Sequence, residues 1–212
     1  MRIFVAGGTG RVAAEVISLL AKRGNTVTAG SRHPESVKTG DGVEAVKFDL
    51  HMQAAAMEPF LKDQDAVYFL AGSRGKDLLQ TDAFGAVKLM QAAKAAGVSR
   101  FIMLSSLFAL QPDRWESEPG LAQIMNYDIA KYFADEWLIN MSGLTYTIVQ
   151  PSALMEEPGT GRIELNPPHT GTTPIPDVAQ VLADVLDMPN TYNKVIMLRG
   201  GDTPIREALE SV

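Results

Sequence analysis

Tyr127 and Lys131 stand four residues apart, so on a helix their side chains share a face. An ammonium beside a phenol stabilises phenolate. The pair therefore predicts a tyrosine pKa lowered from its usual ~10 toward the range where it can exchange protons with a substrate. Ser105 and Ser106 end an apolar run, Phe101 to Leu104, and a hydroxyl at that place can hydrogen-bond a substrate oxygen. The expected chemistry is proton transfer to or from an oxygen, with Ser106, Tyr127 and Lys131 as the catalytic set.

A second constellation lies at the N-terminus, where Gly7-Gly8-Thr9-Gly10-Arg11-Val12-Ala13 directly follows an apolar strand. Gly7 can take a tight turn, Gly10 lets the backbone approach a pyrophosphate at a helix N-terminus, and Ala13 permits close packing of helix on strand. The next strand decides between two dinucleotides, because a carboxylate at its end binds a ribose 2′-hydroxyl and a basic residue accommodates a 2′-phosphate. No acid occurs between Gly24 and Pro34, and the segment ends Ser31-Arg32. Arg32, with Ser31 and Arg11, can offer charge-assisted hydrogen bonds to that phosphate, so NADP(H) is expected in preference to NAD(H).

Positioning these groups requires a sheet. Short apolar runs predict strands at Arg2 to Ala6, Thr26 to Gly30, Glu44 to Phe48, Asp65 to Ala71, Arg100 to Ser105, Leu144 to Gln150 and Lys194 to Leu198. Between them, Val12, Val16, Leu19 and Leu20 form one helical stripe, and Leu79, Ala83, Val87, Met90 and Ala93 another. A third helix is expected from about Leu121 to Met141, each helix ending near a glycine: Gly24, Gly97 and Gly143. Alternating strands and helices give an α/β fold, a single doubly wound Rossmann-type domain over residues 1–212 with a mostly parallel sheet. The stretch from Pro151 to Pro176, crowded with Pro, Gly and Thr, reads as a long substrate-facing loop broken by a short run from Arg162 to Leu165.

Composition narrows the partners. The 212 residues carry a formal charge of −6, which disfavours nucleic acid and anionic membranes, and with no cysteine there is no thiolate nucleophile and no disulfide framework. The longest apolar runs are far short of a membrane span, and three scattered histidines lack metal-ligand spacing, so no metal is expected. A soluble, cytoplasmic chain acting on a small molecule is the expectation, as monomer or homodimer.

The chain resembles the short-chain dehydrogenase/reductase superfamily, in its atypical NAD(P)H-binding branch with NmrA-like and biliverdin-reductase-B-like members. The resemblance rests on GGTGRV at Gly7 to Val12, SRHPE at Ser31 to Glu35, FDL at Phe48 to Leu50, AGS at Ala71 to Ser73, FIMLSS at Phe101 to Ser106, YDIAK at Tyr127 to Lys131 and YTIVQPSAL at Tyr146 to Leu154. It implies that Asp49 and Leu50 frame the adenine and that Ala71, Gly72 and Ser73 line the cofactor ribose. It also implies that Lys131 holds the nicotinamide ribose and that Pro151, Ser152, Ala153 and Leu154 pass the carboxamide. Ser106 matches the family serine better than Ser105, since it directly precedes Leu107-Phe108. Two departures stand out: Ala13 replaces the usual third glycine, and the asparagine of full catalytic tetrads has no clear match near Asp82.

An NADP(H)-dependent oxidoreductase is the function this implies. Its cavity is expected to be small and open, lined by Phe108, Trp115, Met125, Leu154 and Met155, and suited to a flat or apolar carbonyl, quinone or flavin. Two alternatives share the cofactor: a non-enzymatic NADP-sensing regulator of the NmrA type, and an epimerase or dehydratase. A hydrolase built on Ala71-Gly72-Ser73-Arg74-Gly75 with His169 as base fits poorly, because the nucleophile-elbow pattern is broken.

Overall fold

Side chains along a strand point alternately to opposite faces, and the first strand, β1 (Arg2–Ala6), already divides the interior in two. Ile3 and Val5 enter one hydrophobic core while Phe4 and Ala6 enter the other. In the computed structural model, which describes residues 1–212, β4 (Ala66–Phe69) repeats this, with Ala66 and Tyr68 on the first side and Val67 and Phe69 on the second. Two buried faces need helices on both. Helices α1 (Arg11–Lys22), α5 (Ile175–Asp184) and α6 (Ile205–Glu210) cover the first core, and α2 (Ala54–Leu61), α3 (Phe84–Ala95) and α4 (Met125–Asn140) the second.

The sheet is a single α/β layer of mostly parallel strands. From one edge run β3 (Val43–Lys47), β2 (Thr26–Ser31), β1, β4, β5 (Arg100–Leu104), β6 (Thr145–Pro151) and β10 (Lys194–Gly200), all parallel. Every expected strand is present, with ends shifted by at most two residues. Strand order reverses beside β1, because the chain first builds outward to β3 and then returns to place β4 on the other side. Such a reversal leaves a crevice beyond the carboxyl ends of β1 and β4. Gly24, Gly97 and Gly143 have left-handed φ of 81°, 79° and 68°, as residues that turn a helix back toward a strand should.

Three local expectations change. The segment after β6 is more than a loop: β7 (Ala153–Met155) pairs in parallel with β9 (Thr172–Pro174), and β8 (Arg162–Leu165) joins the main sheet antiparallel to β10 and to β11 (Thr203–Pro204). Its prolines and glycines mark the corners, while backbone pairing to distant strands, invisible in local composition, supplies the order. Helix α4 begins at Met125 rather than Leu121, whose side chain instead caps a small third core with Leu107, Phe108 and Trp115. The stretch Leu78–Ala83 forms a π-helical turn, and its wider winding swings Leu79 out to 76% exposure instead of onto the stripe of α3. No helix is long and apolar enough to cross a membrane.

Candidate active site

The glycine turn meets the loop after β4 at the strand-order reversal. Gly7 has φ 93°, and a Cβ placed on it would lie 2.7 Å from the Ala71 Cα, so only glycine fits this contact. Gly7 and Gly8 both donate their N–H to the Gly30 carbonyl at 3.0 Å, which ties the turn to the end of β2. No side chain caps the first turn of α1, leaving its amides directed outward for an anionic group.

A cavity of about 200 Å³ opens at this junction, lined by Gly7, Thr9, Gly10, Ser31, Arg32, Asp49, Leu50, Ala71, Gly72 and Ser73. Ten of the residues expected at the cofactor therefore converge. Gly30, Phe48, Leu70, Arg74 and Thr81 line it as well and were not expected there: the first three sit at strand ends, Arg74 in the loop after β4 and Thr81 on the turn Leu78–Ala83. Two features fit a phosphorylated dinucleotide. Arg32 is exposed and takes part in no ion pair, and the buried Ser73 hydroxyl has no hydrogen-bond partner in the protein. Arg11 behaves otherwise: its Nη1 donates to Glu156 Oε1 at 2.6 Å and it lies outside this cavity. The Val12 side chain is in the first core, so only its backbone could meet a ligand.

A larger cavity, about 640 Å³, is lined by Ser105, Ser106, Tyr127, Pro151, Ser152, Ala153 and Leu154. A third, about 580 Å³, shares Tyr127 and Ile124 with it and shares Gly72 and Arg74 with the cofactor-shaped groove. The expected lining needs correction. Leu154 and Met125 do border these spaces, but Met155 does not, and Phe108 and Trp115 are 1% and 8% exposed. The Trp115 Nε1–H donates to the Phe108 carbonyl at 3.0 Å, so both aromatics are spent on the core beneath the β5–α4 loop.

Under Tyr127 lies a buried polar cluster. Lys131 is 1% exposed; its Nζ donates to the Leu104 carbonyl at 3.1 Å and sits 5.5 Å from the centre of the Tyr127 ring. An ammonium has three N–H donors, so two are left without a protein partner. Asp128, Lys131 and Asp135 occupy one face of α4 at spacings of three and four, and all are buried. Asp82, on the π-helical turn, accepts the Ser73 N–H at 3.1 Å and is also buried. None of the three carboxylates was expected at the site. The spacing on α4 carried a signal, but a stripe search for apolar residues passes over a buried face made of charges.

These carboxylates reverse one expectation. Burial, then the charges of Asp82, Asp128 and Asp135, push the Tyr127 pKa up rather than down. Lys131 is itself pushed down by burial, opposed by Asp82 and Asp135. Burial also raises Asp128 to about 6 and Asp135 to about 7. Neither Asp128 oxygen has a well-formed hydrogen bond, although the Ser106 hydroxyl favours its charged form.

The sequence profile of the NAD(P)H-binding family matches residues 7–189. The crystal structure of the oxidoreductase ylbE from Lactococcus lactis is 42% identical, covers 100% of this chain and 96% of that one, and superposes with a TM-score of 0.97. The uncharacterized sugar epimerase YhfK of Bacillus subtilis is 34% identical over the full length of both chains. The yeast protein YMR090W of Saccharomyces cerevisiae is 32% identical, covering 100% of this chain and 99% of its own.

Proposed function

The chain belongs to the NAD(P)H-binding family, and from that premise we propose that it is an NADP(H)-dependent reductase of a small, flat carbonyl, quinone or flavin-type substrate. One observation carries this reading: Ser106 and Tyr127 line one cavity, with the Lys131 ammonium beneath the tyrosine ring, and a second cavity that also borders Tyr127 shares Gly72 and Arg74 with the groove where Arg32 is exposed and takes part in no ion pair. The L. lactis relative's name as an oxidoreductase points the same way.

In the proposed complex, Arg32 and Ser31 hold the 2′-phosphate, the first turn of α1 holds the pyrophosphate, and Ser73 and Lys131 offer their unsatisfied polar groups to the ribose hydroxyls. The bound, reduced cofactor supplies a hydride to the substrate carbon. Ser106 donates a hydrogen bond to the substrate oxygen and polarises it. Tyr127 transfers its proton to that oxygen as negative charge builds there. A raised pKa suits this direction, because the phenol stays protonated at neutral pH and gives up its proton only to a stronger base. Lys131 opposes the charge left on the tyrosine oxygen. Leu107, Leu121 and Leu154 keep the cavity walls apolar, which strengthens each of these contacts.

The B. subtilis relative's name favours the epimerase alternative, and a cofactor-sensing regulator would use the same groove. A regulator has no use for the serine and tyrosine in the second cavity. The reading is tested by mixing the protein with NADPH and a panel of quinones, flavins and aldehydes while following absorbance of the reduced nicotinamide. Turnover is expected with at least one flat acceptor; silence across the panel, with a protein partner recovered only when NADPH is present, would replace the enzyme by the regulator.

A further inference from the structure

The cavity of about 580 Å³ beside Tyr127 contains a cation that the reductase chemistry leaves unused. Leu78, Ala122, Ile124 and Met125 give it apolar walls, and Gln123 and Asn126 add amides. Arg74 is its one charged residue, and the cavity on the other side of Tyr127 has none.

Arg74 takes part in no ion pair and no side-chain hydrogen bond, in a chain whose acids outnumber its bases by 25 to 19. The acid nearest in sequence, Asp77, is committed elsewhere: its Oδ2 meets His51 Nε2 at 2.6 Å and accepts the Thr81 hydroxyl at 2.5 Å. The loop is anchored on both sides of the arginine. Ser73 donates its N–H to the buried Asp82, and Lys76 donates to the Ser73 carbonyl at 3.2 Å. Arg74 itself has φ 54°, a left-handed conformation that glycine holds freely and arginine does not. An exposed, unpaired guanidinium at the rim of an apolar cavity matches an occupant with an aromatic body and a planar anionic group.

We propose that Arg74 forms a carboxylate subsite, so that the preferred substrates are flat molecules bearing a carboxylate at the end away from the reacting oxygen. The subsite belongs to the reductase reading above, and binding rather than turnover tests it, so failure of one is distinguishable from failure of the other.

Dissociation constants of 2-naphthoate and its neutral isostere 2-naphthamide would be measured by calorimetry on protein saturated with NADP⁺. In the parent chain the naphthoate should bind about tenfold more tightly, as one charge-assisted, bidentate contact allows. Arg74→Gln should bring the two ligands level and Arg74→Lys should keep part of the difference. Arg74→Gly should abolish it while leaving thermal stability equal or higher, since glycine tolerates the backbone geometry. Because Arg74 also borders the cofactor groove, the NADP⁺ dissociation constant is measured in each variant and the two probes are compared only at saturating NADP⁺. Equal binding of the two probes by the parent, or no binding of either, would overturn the subsite. A large loss of NADP⁺ affinity in Arg74→Gln would also overturn it, by assigning the arginine to the cofactor groove that it also borders. Naphthoate selectivity without NADPH turnover on any acceptor would leave the subsite standing and remove the reductase.

Discussion

Ser105 donates its hydroxyl proton to Asp135 Oδ2 at 2.7 Å, and Gln150 Nε2 donates to the same oxygen at 2.8 Å. Both serines line the cavity, but this bond commits the Ser105 hydroxyl to the buried Asp135, whereas the adjacent Ser106 faces Asp128. Under the proposed reading, the two serines divide structure from chemistry. Ser106→Ala should lower kcat/KM for accepted carbonyls by roughly 10- to 100-fold with little change in unfolding free energy. Ser105→Ala should cost about 1–3 kcal/mol in denaturant unfolding, because it removes one of the two donors of a buried carboxylate. Equal effects of both changes on stability and on rate would contradict the division.

Tyr127→Phe keeps the ring over Lys131 and deletes the proton. Turnover of aldehydes should fall by ~10²- to 10⁴-fold while NADPH affinity is preserved. Lys131→Met should weaken both, since in the proposed complex the ammonium would serve the ribose as well as the phenol. For a quinone or flavin acceptor water can supply the proton, and the tyrosine variant should then be nearly silent. Steady-state rates on one acceptor of each class, with NADPH titrated by fluorescence, separate these outcomes; parent-like rates on aldehydes would remove Tyr127 from the reaction.

Arg32 and Arg11 make opposite predictions, although both lie close in sequence to the glycine turn or the second strand. Arg32→Ala should cost NADPH tenfold to a hundredfold in affinity, a loss of ~1.5–3 kcal/mol, and leave NADH almost unchanged. Arg11→Ala should change neither by much, because that guanidinium is held by Glu156. Titrations of both nucleotides against parent and variants decide; equal NADPH and NADH affinities in the parent would exclude a 2′-phosphate site at Arg32.

The contribution of Asp135 and Asp128 to stability should rise as the solution is acidified from pH 8 to pH 5, against an opposite trend from Lys131, whose pKa burial pushes down. Burial holds the Asp135 and Asp128 pKa values at about 7 and about 6, above the ordinary carboxylate range, so these two groups bind more protons in the folded chain than in the unfolded chain between pH ~4 and ~7. Stability present at the acid end of that window is lost as pH rises through those values. Glu118 acts the other way. The Thr170 N–H and the Arg114 guanidinium hold it down at about 2, against the cost of burial, so its contribution is present above pH ~4.5 and is lost below it. Asp135→Asn removes the larger titration and should flatten the pH 5–8 decline by ~2–4 kcal/mol in guanidinium unfolding curves. Parallel profiles for parent and variant would show that Asp135 does not titrate in this window.

Elements whose reason is local were legible in the chain. Strands β1 and β4 to β6 follow from apolar runs long enough to be buried on both faces, and the helix ends follow from glycines that take left-handed φ. Arg32 was legible for a similar reason, because its place at the end of β2 fixes it beside the glycine turn. Leu79 was misread, since a π-helical turn shifts the angular phase of every side chain after it, and the apolar count alone does not register the change in winding. The pairing of β8 with β10 was illegible because register between distant segments leaves no trace in their composition.

By itself, the sequence determined the α/β architecture, the glycine turn with Arg32 beside it, and the shared helix face of Tyr127 and Lys131, because spacing along a strand or helix fixes which side chains share a face. Only the tertiary structure decided their electrostatics. Asp82 reaches Tyr127 from a different element, and burial rather than sequence distance sets how strongly Asp82, Asp128 and Asp135 act on it. In water the nearby Lys131 would have governed the phenol; at the half-buried place where Tyr127 borders two cavities, desolvation and the charges of three carboxylates push its pKa up, and the tyrosine is held as an acid.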